Sequence, residues 1–204
     1  MNLLAVETAT DVCSIALMVD NRMVALLEDN IPRQHAKKLP ILFQTIIDEQ
    51  SIHLSDLDGI AVSIGPGSFT GLRIGLSYSK GLAYSHDLPI IPVPTLEGVA
   101  RGCRSQNNFN VLLFSHRDLI YHQKFNSKNT PINKASISTW DQLKDVLDNE
   151  DIFQINCEKF MDGHRIAASA KYILKCACEH YDEWVQIDPQ KLIPNYIAQF
   201  EISK

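Results

Sequence analysis

Apolar residues at the start of the chain fall into three short runs that predict β-strands. The runs cover residues 2–7, 12–19 and 22–28, and the second alternates in part between apolar and polar positions. Asp20 and Asn21 separate the last two runs, and both residue types favour a tight hairpin turn. Three strands in such close succession predict an antiparallel meander.

The next pattern has the period of an α-helix and covers residues 35–50. Its apolar positions lie on one side of a helix and predict a single buried stripe: Leu39, Leu42, Phe43, Ile46 and Ile47. Pro40 falls near the first turn, where a missing amide proton is tolerated. Ile41 points away from the stripe, so it is either a single exposed apolar residue or part of a second contact.

A fourth strand and a second helix surround the glycine-rich sequence from Gly65 to Gly75. Residues 57–64 predict a buried strand, and the helical pattern after the glycines ends near residues 85–86. The apolar residues of this helix form two faces: Leu72, Leu76 and Ala83 on one, and Ile74, Tyr78 and Leu82 on the other, beside Gly71 and Gly75. A helix that is apolar on two sides is expected to be buried on both. One side covers its own sheet, and the other needs a second helix or another subunit.

The remaining pattern predicts a second, smaller lobe. A strand at 90–93 is followed by a helix with Thr95 as its N-cap, and the polar residues 105–108 mark a boundary between lobes 1–104 and 105–204. The second half predicts strands at 109–114, 119–125, 135–138 and 151–156, and helices at 138–147 and 164–179. The last helix could pack back on the first lobe, and the tail from residue 186 has no clear pattern.

Composition and charge narrow the classes of function. The 204 residues are 45% hydrophobic and 21% charged, with a net charge of −5, so no dominant nucleic-acid-binding surface is expected. No apolar run approaches the ~20 residues of a membrane span. The first residues lack a basic region before an apolar one, and the five cysteines are scattered. The sequence therefore predicts a cytoplasmic protein with reduced thiols and no membrane contact.

The glycine-rich sequence allows two interpretations. Strand, glycine turn and helix together are the local form of a phosphate-binding site. A P-loop, however, requires a lysine directly after the glycines, and none occurs before Lys80. Thr70 stands where a dinucleotide fingerprint has glycine or alanine. A tight turn with close helix packing is the favoured interpretation, and a nucleotide site stays the alternative.

The candidate metal ligands and catalytic groups do not form a known pattern. His35 would need a histidine four residues later on the same helix face, but Leu39 stands there. Glu7 follows the first strand, where a catalytic or capping carboxylate could lie, and Cys13 sits in an apolar strand pattern that predicts burial. A polar cluster in the second half suggests no triad, because its members fall on mixed faces: His116, Arg117, Asp118 and His122. No catalytic, cofactor-binding or metal-binding residue is assigned.

Three segments resemble the TsaB (YeaZ) family of bacterial tRNA threonylcarbamoyladenosine biosynthesis proteins. They are residues 4–10 (LAVETAT), 34–40 (QHAKKLP) and above all 65–75 (GPGSFTGLRIG), which matches the signature of that family. Residues 80–83 and 94–97 also fit. The resemblance covers the first half of the chain and is specific there, although Glu7 stands where many members have aspartate.

The resemblance implies an α/β actin-like ATPase fold of two ribonuclease-H-like lobes, each built as βββαβα. It also implies a non-catalytic paralogue that pairs with the catalytic subunit TsaD and works with the ATPase TsaE. The implied reaction is threonylcarbamoylation of the adenosine next to the anticodon in tRNAs that read codons beginning with A. TsaD carries a metal-binding His-x-x-x-His on the equivalent helix, whereas this chain has His35 and Leu39.

We therefore expect an interface of two helices, with tRNA contacted only indirectly. The interface residues expected from the apolar pattern and the resemblance are His35, Leu39, Leu42, Phe43, Gly71, Ile74, Gly75, Tyr78 and Leu82. The same helices could pair with TsaD or with a second copy of this chain. The alternative is a nucleotide- or metal-dependent enzyme of the actin-like or glycoprotease-like superfamily, and the acidic balance disfavours a direct RNA-binding module.

Overall fold

The protein, described from a computed structural model that covers residues 1–147 and 150–197, contains two five-stranded sheets. The first sheet contains β1 (Leu3–Glu7), β2 (Cys13–Val19), β3 (Arg22–Asp29), β4 (Gly59–Gly65) and β5 (Ile90–Pro94). The second contains β6 (Phe109–His116), β7 (Leu119–Phe125), β8 (Ser136–Thr139), β9 (Asp151–Ile155) and β10 (His164–Arg165). The predicted meander β1–β2–β3 is confirmed.

Six helices accompany the sheets in the described ranges. They are α1 (His35–Gln50), α2 (Phe69–Ser85), α3 (Thr95–Ala100), α4 (Trp140–Leu143), α5 (Ala170–Glu179) and α6 (Tyr181–Trp184). Short 3-10 turns occur at Leu54–Asp56 and Pro189–Lys191. None of these helices is long and apolar enough to cross a membrane.

The two sheets have the same topology. Their strand orders are β3-β2-β1-β4-β5 and β8-β7-β6-β9-β10, in which the first three strands of each half form the meander. The fourth and fifth strands of each half then add in parallel to the first. The order of elements in the first half is βββαβαβα, which begins with the βββαβα core implied by the ribonuclease-H-like resemblance, so the predicted fold class is confirmed.

Helices separate and cover the sheets in layers. The buried stripe of α1 and the inner face of α2 pack on one face of the first sheet, against Leu4, Val6 and Ile60 among others. The other face of the first sheet is covered by α5, and α3 packs on the second sheet. A helix from the second half thus covers the first sheet, and the division of the chain between residues 104 and 105 stays a prediction.

Two predicted helices in the second half are longer than the structure shows. The pattern at 164–179 predicted one helix, but His164 and Arg165 pair with β9 and α5 begins only at Ala170. Ser169 explains the later start, because its hydroxyl accepts a hydrogen bond from the Lys171 amide and caps the helix there. Likewise, the helix predicted at 138–147 is α4, which starts after Thr139 and ends at Leu143.

Candidate functional site

The glycine-rich turn joins the end of β4 to the start of α2 and is held by the β1–β2 turn. The Gly65–Pro66 peptide bond is cis, and the Ser68 amide donates to the Ala9 carbonyl over 2.7 Å. Ser68 also caps α2, since its hydroxyl accepts from the Gly71 amide at 3.2 Å. The helix therefore starts at Phe69, directly after its cap.

Contacts within this chain explain the glycines at the start of the turn. Gly65 has a φ of +117°, and a Cβ on it would lie 2.5 Å from the carbonyl oxygen of Asn195. A Cβ on Gly67 would lie 2.5 Å from the Ala9 carbonyl oxygen. The sequence prediction for Thr95 was wrong, because its hydroxyl accepts from the Gly65 amide at 3.1 Å instead of capping α3.

Thr8 explains the two glycines inside α2. A Cβ on Gly71 would clash with the Thr8 carbonyl oxygen, and one on Gly75 would clash with the Thr8 hydroxyl. The same hydroxyl donates to the Gly71 carbonyl over 2.8 Å. Thr8 and Ala9 therefore pack closely against the glycine-rich turn and the start of α2, as the tight-turn interpretation predicts. Gly71 and Gly75 face the β1–β2 turn of this chain, and their place at a partner interface stays a prediction.

Most of the predicted interface residues on α1 belong to the chain's own core. Leu39 is fully buried, and Phe43 lies in the same hydrophobic cluster under the first sheet. His35 is also buried, with its Nε2 atom 3.3 Å from the Val12 carbonyl oxygen. These three positions were predicted to contact a partner, but the apolar stripe of α1 is buried against the sheet that it covers.

The structure also separates Leu42 from the contact between the two helices. The Phe43 and Tyr78 rings join α1 to α2, with centroids 5.8 Å apart in an edge-on arrangement. Lys38, one helical turn before Leu42, forms a 2.7 Å ion pair with Asp29 of β3. Leu42 therefore lies on the Lys38 side of α1, where it is partly buried against the first core.

Three predicted residues remain at the surface of α2. Ile74, Tyr78 and Leu82 are each partly buried against the first core and partly open to solvent. The sequence reading missed Gly81, which is exposed and has no heavy atom outside its own helix within 4 Å of where a Cβ would stand. A glycine inside a helix, three residues after Tyr78 and seven after Ile74, was the available signal. We call Ile74, Tyr78 and Gly81 the outer strip of α2.

Glu7 is the most unusual titratable group near the turn. Its carboxyl is fully buried, and burial raises its pKa from 4.5 to about 7, opposed chiefly by a hydrogen bond from the Ala9 amide. Oε2 has no hydrogen-bond partner among the described residues. Ser63 lies beside it, because β1 and β4 are paired up to Val6 and Val62. Glu7 is therefore a turn-capping residue inside the core and not a solvated strand-end carboxylate.

The other candidate groups do not converge on a site. Cys13 is buried, which raises the pKa of its thiol to about 11, so the thiol stays protonated at neutral pH. His122 lies within 3.0 Å of the Ser138 hydroxyl, whereas His116 contacts the neighbouring Ser115. Within residues 1–147 and 150–197, no three His, Cys, Asp or Glu side chains are placed to hold a metal ion together.

Comparison with known proteins identifies the family. A family model described as TsaD, tRNA N6-adenosine threonylcarbamoyltransferase, matches residues 29–178. The chain belongs to this family. A relative in Haemophilus influenzae, the tRNA threonylcarbamoyladenosine biosynthesis protein TsaB, is 25% identical over 97% of this chain and 93% of its own length. The resemblance to TsaB proteins predicted from the first half is therefore confirmed.

Other relatives divide between two names within the family. TsaB of Escherichia coli is 40% identical over 52% of this chain, and the chain spans about half of that relative, 46% of its length. The tRNA N6-adenosine threonylcarbamoyltransferase of Fervidobacterium nodosum is 34% identical, over 48% of this chain and 34% of its own length. YeaZ of Pseudomonas aeruginosa shares the fold, with a TM-score of 0.83 at 24% identity over 96% of this chain and 99% of that one.

Proposed function

We propose that the chain is an accessory subunit in the synthesis of threonylcarbamoyladenosine in tRNA, and that it does not carry out the transfer itself. In this role it docks on a TsaD-type catalytic subunit through the outer strip of α2 and acts in the cytoplasm together with the ATPase TsaE. The name and near-complete coverage of the H. influenzae relative support the pathway. The tRNA is contacted through the partner and not by this acidic chain.

The docking role rests above all on the outer strip of α2. Helix-interior glycine costs about 0.5–1 kcal/mol relative to alanine, so it is expected only where a close approach requires it. Thr8 supplies that requirement at Gly71 and Gly75, but nothing in the described chain supplies it at Gly81. Ile74 and Tyr78 add apolar surface on the same side. A helix of a partner, packed closely over Gly81, would account for all three residues.

The position of Leu39 supports a non-catalytic role. The family resemblance implies that TsaD binds its metal with two histidines, four residues apart, on the helix that corresponds to α1. Leu39 offers no ligand atom and is buried in the core, while the His35 ring contacts the Val12 carbonyl. Substituting histidine at position 39 would place a polar ring in that core and not in a cleft.

Ile74→Asp is expected to weaken association with TsaD by at least about thirtyfold, because docking would bury an unpaired carboxylate at the contact. The measurement is titration calorimetry or co-elution of the two purified subunits. Ile132→Asp is the matched control, since Ile132 is 51% exposed and lies beside the second sheet. Equal affinity of the Ile74 variant and the unchanged chain would exclude the outer strip as the docking site.

Gly81→Ala is expected to weaken the same association about tenfold, because a Cβ would hold the partner helix away from α2. The isolated chain should lose no stability, since space is open there. Lower affinity without lower stability separates a docking contact from a folding defect. Unchanged affinity would show that no close approach occurs at Gly81.

The pathway is tested by reconstitution of threonylcarbamoyl transfer to tRNA from TsaD, TsaE and threonylcarbamoyl-AMP, with and without this chain. Transfer should depend on the chain, and full transfer in its absence would contradict the proposal. The second candidate is an enzyme, which the family model's description as a transferase favours. Transfer by this chain without TsaD, together with calorimetric binding of Mg²⁺–ATP or Zn²⁺, would establish that alternative.

A further inference from the structure

The last described part of the chain returns to the first sheet and runs along α2. Gln186 pairs with Ile90 at β5 through hydrogen bonds of 2.8 and 3.1 Å. Lys80 of α2 then donates to the Gln190 carbonyl over 2.9 Å, and Leu192 packs against the core that α1 and α2 share. We call residues 186–197 the strap.

The strap ends on the first turns of α2, where it forms a cation–aromatic cluster. Arg73 donates from Nε to the Tyr196 hydroxyl over 2.9 Å. The guanidinium carbon of Arg73 lies 3.8 Å from the centre of the Phe69 ring. The centres of the Phe69 and Tyr196 rings are 5.0 Å apart. The Asn195 amide donates to the Ile64 carbonyl over 2.6 Å, directly before the glycine-rich turn.

These contacts lie on the flank of α2 that faces away from α1. Arg73 and Lys80 are roughly opposite to Tyr78 around the helix, and Tyr78 contacts Phe43 of α1. The sheet supports a third side through Leu72, Leu76 and Ala83. The strap and α1 therefore border the outer strip on its two sides.

The start of α2 depends on the strap for a physical reason. Gly71 and Gly75 bring this part of the helix against Thr8, but they have no side chains that could interdigitate with the β1–β2 turn. Hydrogen bonds to Thr8 and Ala9 and the buried Leu72 hold the inner side of these turns, so on the outer side their position depends on residues whose side chains face the strap. Phe69 and Arg73 are such residues, and both contact Tyr196.

We propose that the strap positions the first turns of α2 for docking, and that Tyr196 acts through Arg73 and Phe69 as a positioning residue without touching the partner. This inference rests on the proposed docking of the outer strip. In this proposal, the strap affects the affinity of the outer strip of α2 for the partner.

The test compares three full-length variants: Tyr196→Ala, Tyr196→Phe and Ile193→Ala. Tyr196→Ala removes the ring and the hydroxyl, and it should weaken association with TsaD about tenfold. Tyr196→Phe keeps the ring beside Arg73 and Phe69, and its affinity for TsaD should fall about threefold. Ile193→Ala is the matched control, because it lies in the strap but its side chain is 71% exposed. Its affinity should equal that of the unchanged chain.

A second readout needs no partner. Hydrogen exchange of the amides at residues 69–76 should accelerate in Tyr196→Ala and be largely restored in Tyr196→Phe, while the strands of the first sheet exchange as before. Faster exchange without weaker association would overturn the positioning role, and so would unchanged exchange. If Tyr196→Ala did not fold, Tyr196→Phe and Arg73→Lys would test the positioning role by the same two measurements, association with TsaD and hydrogen exchange at residues 69–76. If Ile74→Asp weakens association but the strap variants do not, the docking proposal stands and the strap proposal falls.

Discussion

Replacing Gly71 by alanine is expected to destabilise the fold by about 3 kcal/mol, because the new methyl group has no room. Its Cβ would clash with the Thr8 carbonyl oxygen, which is backbone and cannot rotate away. Relief requires α2 to move off the β1–β2 turn, and the hydrogen bond from the Thr8 hydroxyl to the Gly71 carbonyl would be strained by that movement.

Gly81→Ala is the matched control for this substitution, since it makes the same change in the same helix. No atom outside the helix lies near a Cβ at position 81, so alanine should stabilise the isolated chain by about 0.5–1 kcal/mol through helix propensity. Urea-induced unfolding of Gly71→Ala, Gly81→Ala and the unchanged chain, followed by far-ultraviolet circular dichroism, measures the change in stability that each substitution causes. Equal stability of the Gly71 and Gly81 variants would contradict the close packing of α2 on Thr8.

The first half of the fold could be predicted because its signals are local. The runs at β1, β2 and β3, the period of α1 and the glycine turn before α2 each occupy one stretch of sequence, and each formed the expected element. The repeat of this topology in the second sheet was only weakly visible. Its strands are bounded by polar loops, and its helices α4 and α6 are single turns of four residues.

The candidate site could be predicted only in part, because an apolar face does not reveal what covers it. The pattern placed Leu39, Phe43 and Ile74 at a partner surface, yet the sheet buries the first two. Gly71 and Gly81 look alike in sequence, and only the position of Thr8 distinguishes a packing glycine from an exposed one. The strap was beyond prediction, since residues 186–197 lack periodicity and are held by contacts with residues more than a hundred positions away.

Glu7→Gln is expected to stabilise the protein by about 3 kcal/mol at pH 8 and to have little effect near pH 4.5. Burial raises the pKa of Glu7 from 4.5 to about 7, so between these values the folded state holds a proton that the unfolded state has lost. Stability from this proton is fully present below pH 4.5 and is lost as the pH rises through 7. Glutamine keeps the shape and an oxygen to accept from the Ala9 amide, and it carries no charge to bury.

The measurement is the free energy of unfolding in urea at pH 5, 6, 7 and 8 for both proteins. The difference between them should grow up to about pH 7 and level off near pH 8, where the carboxylate is ionised in both states. Glu49→Gln, which changes an exposed carboxyl at the end of α1, should follow the unchanged chain at every pH. A constant difference between Glu7→Gln and the unchanged chain from pH 5 to 8 would show that Glu7 is already ionised in the folded core at pH 5. The Oε2 atom without a partner would then need another explanation, because burial alone would not have kept its proton in place.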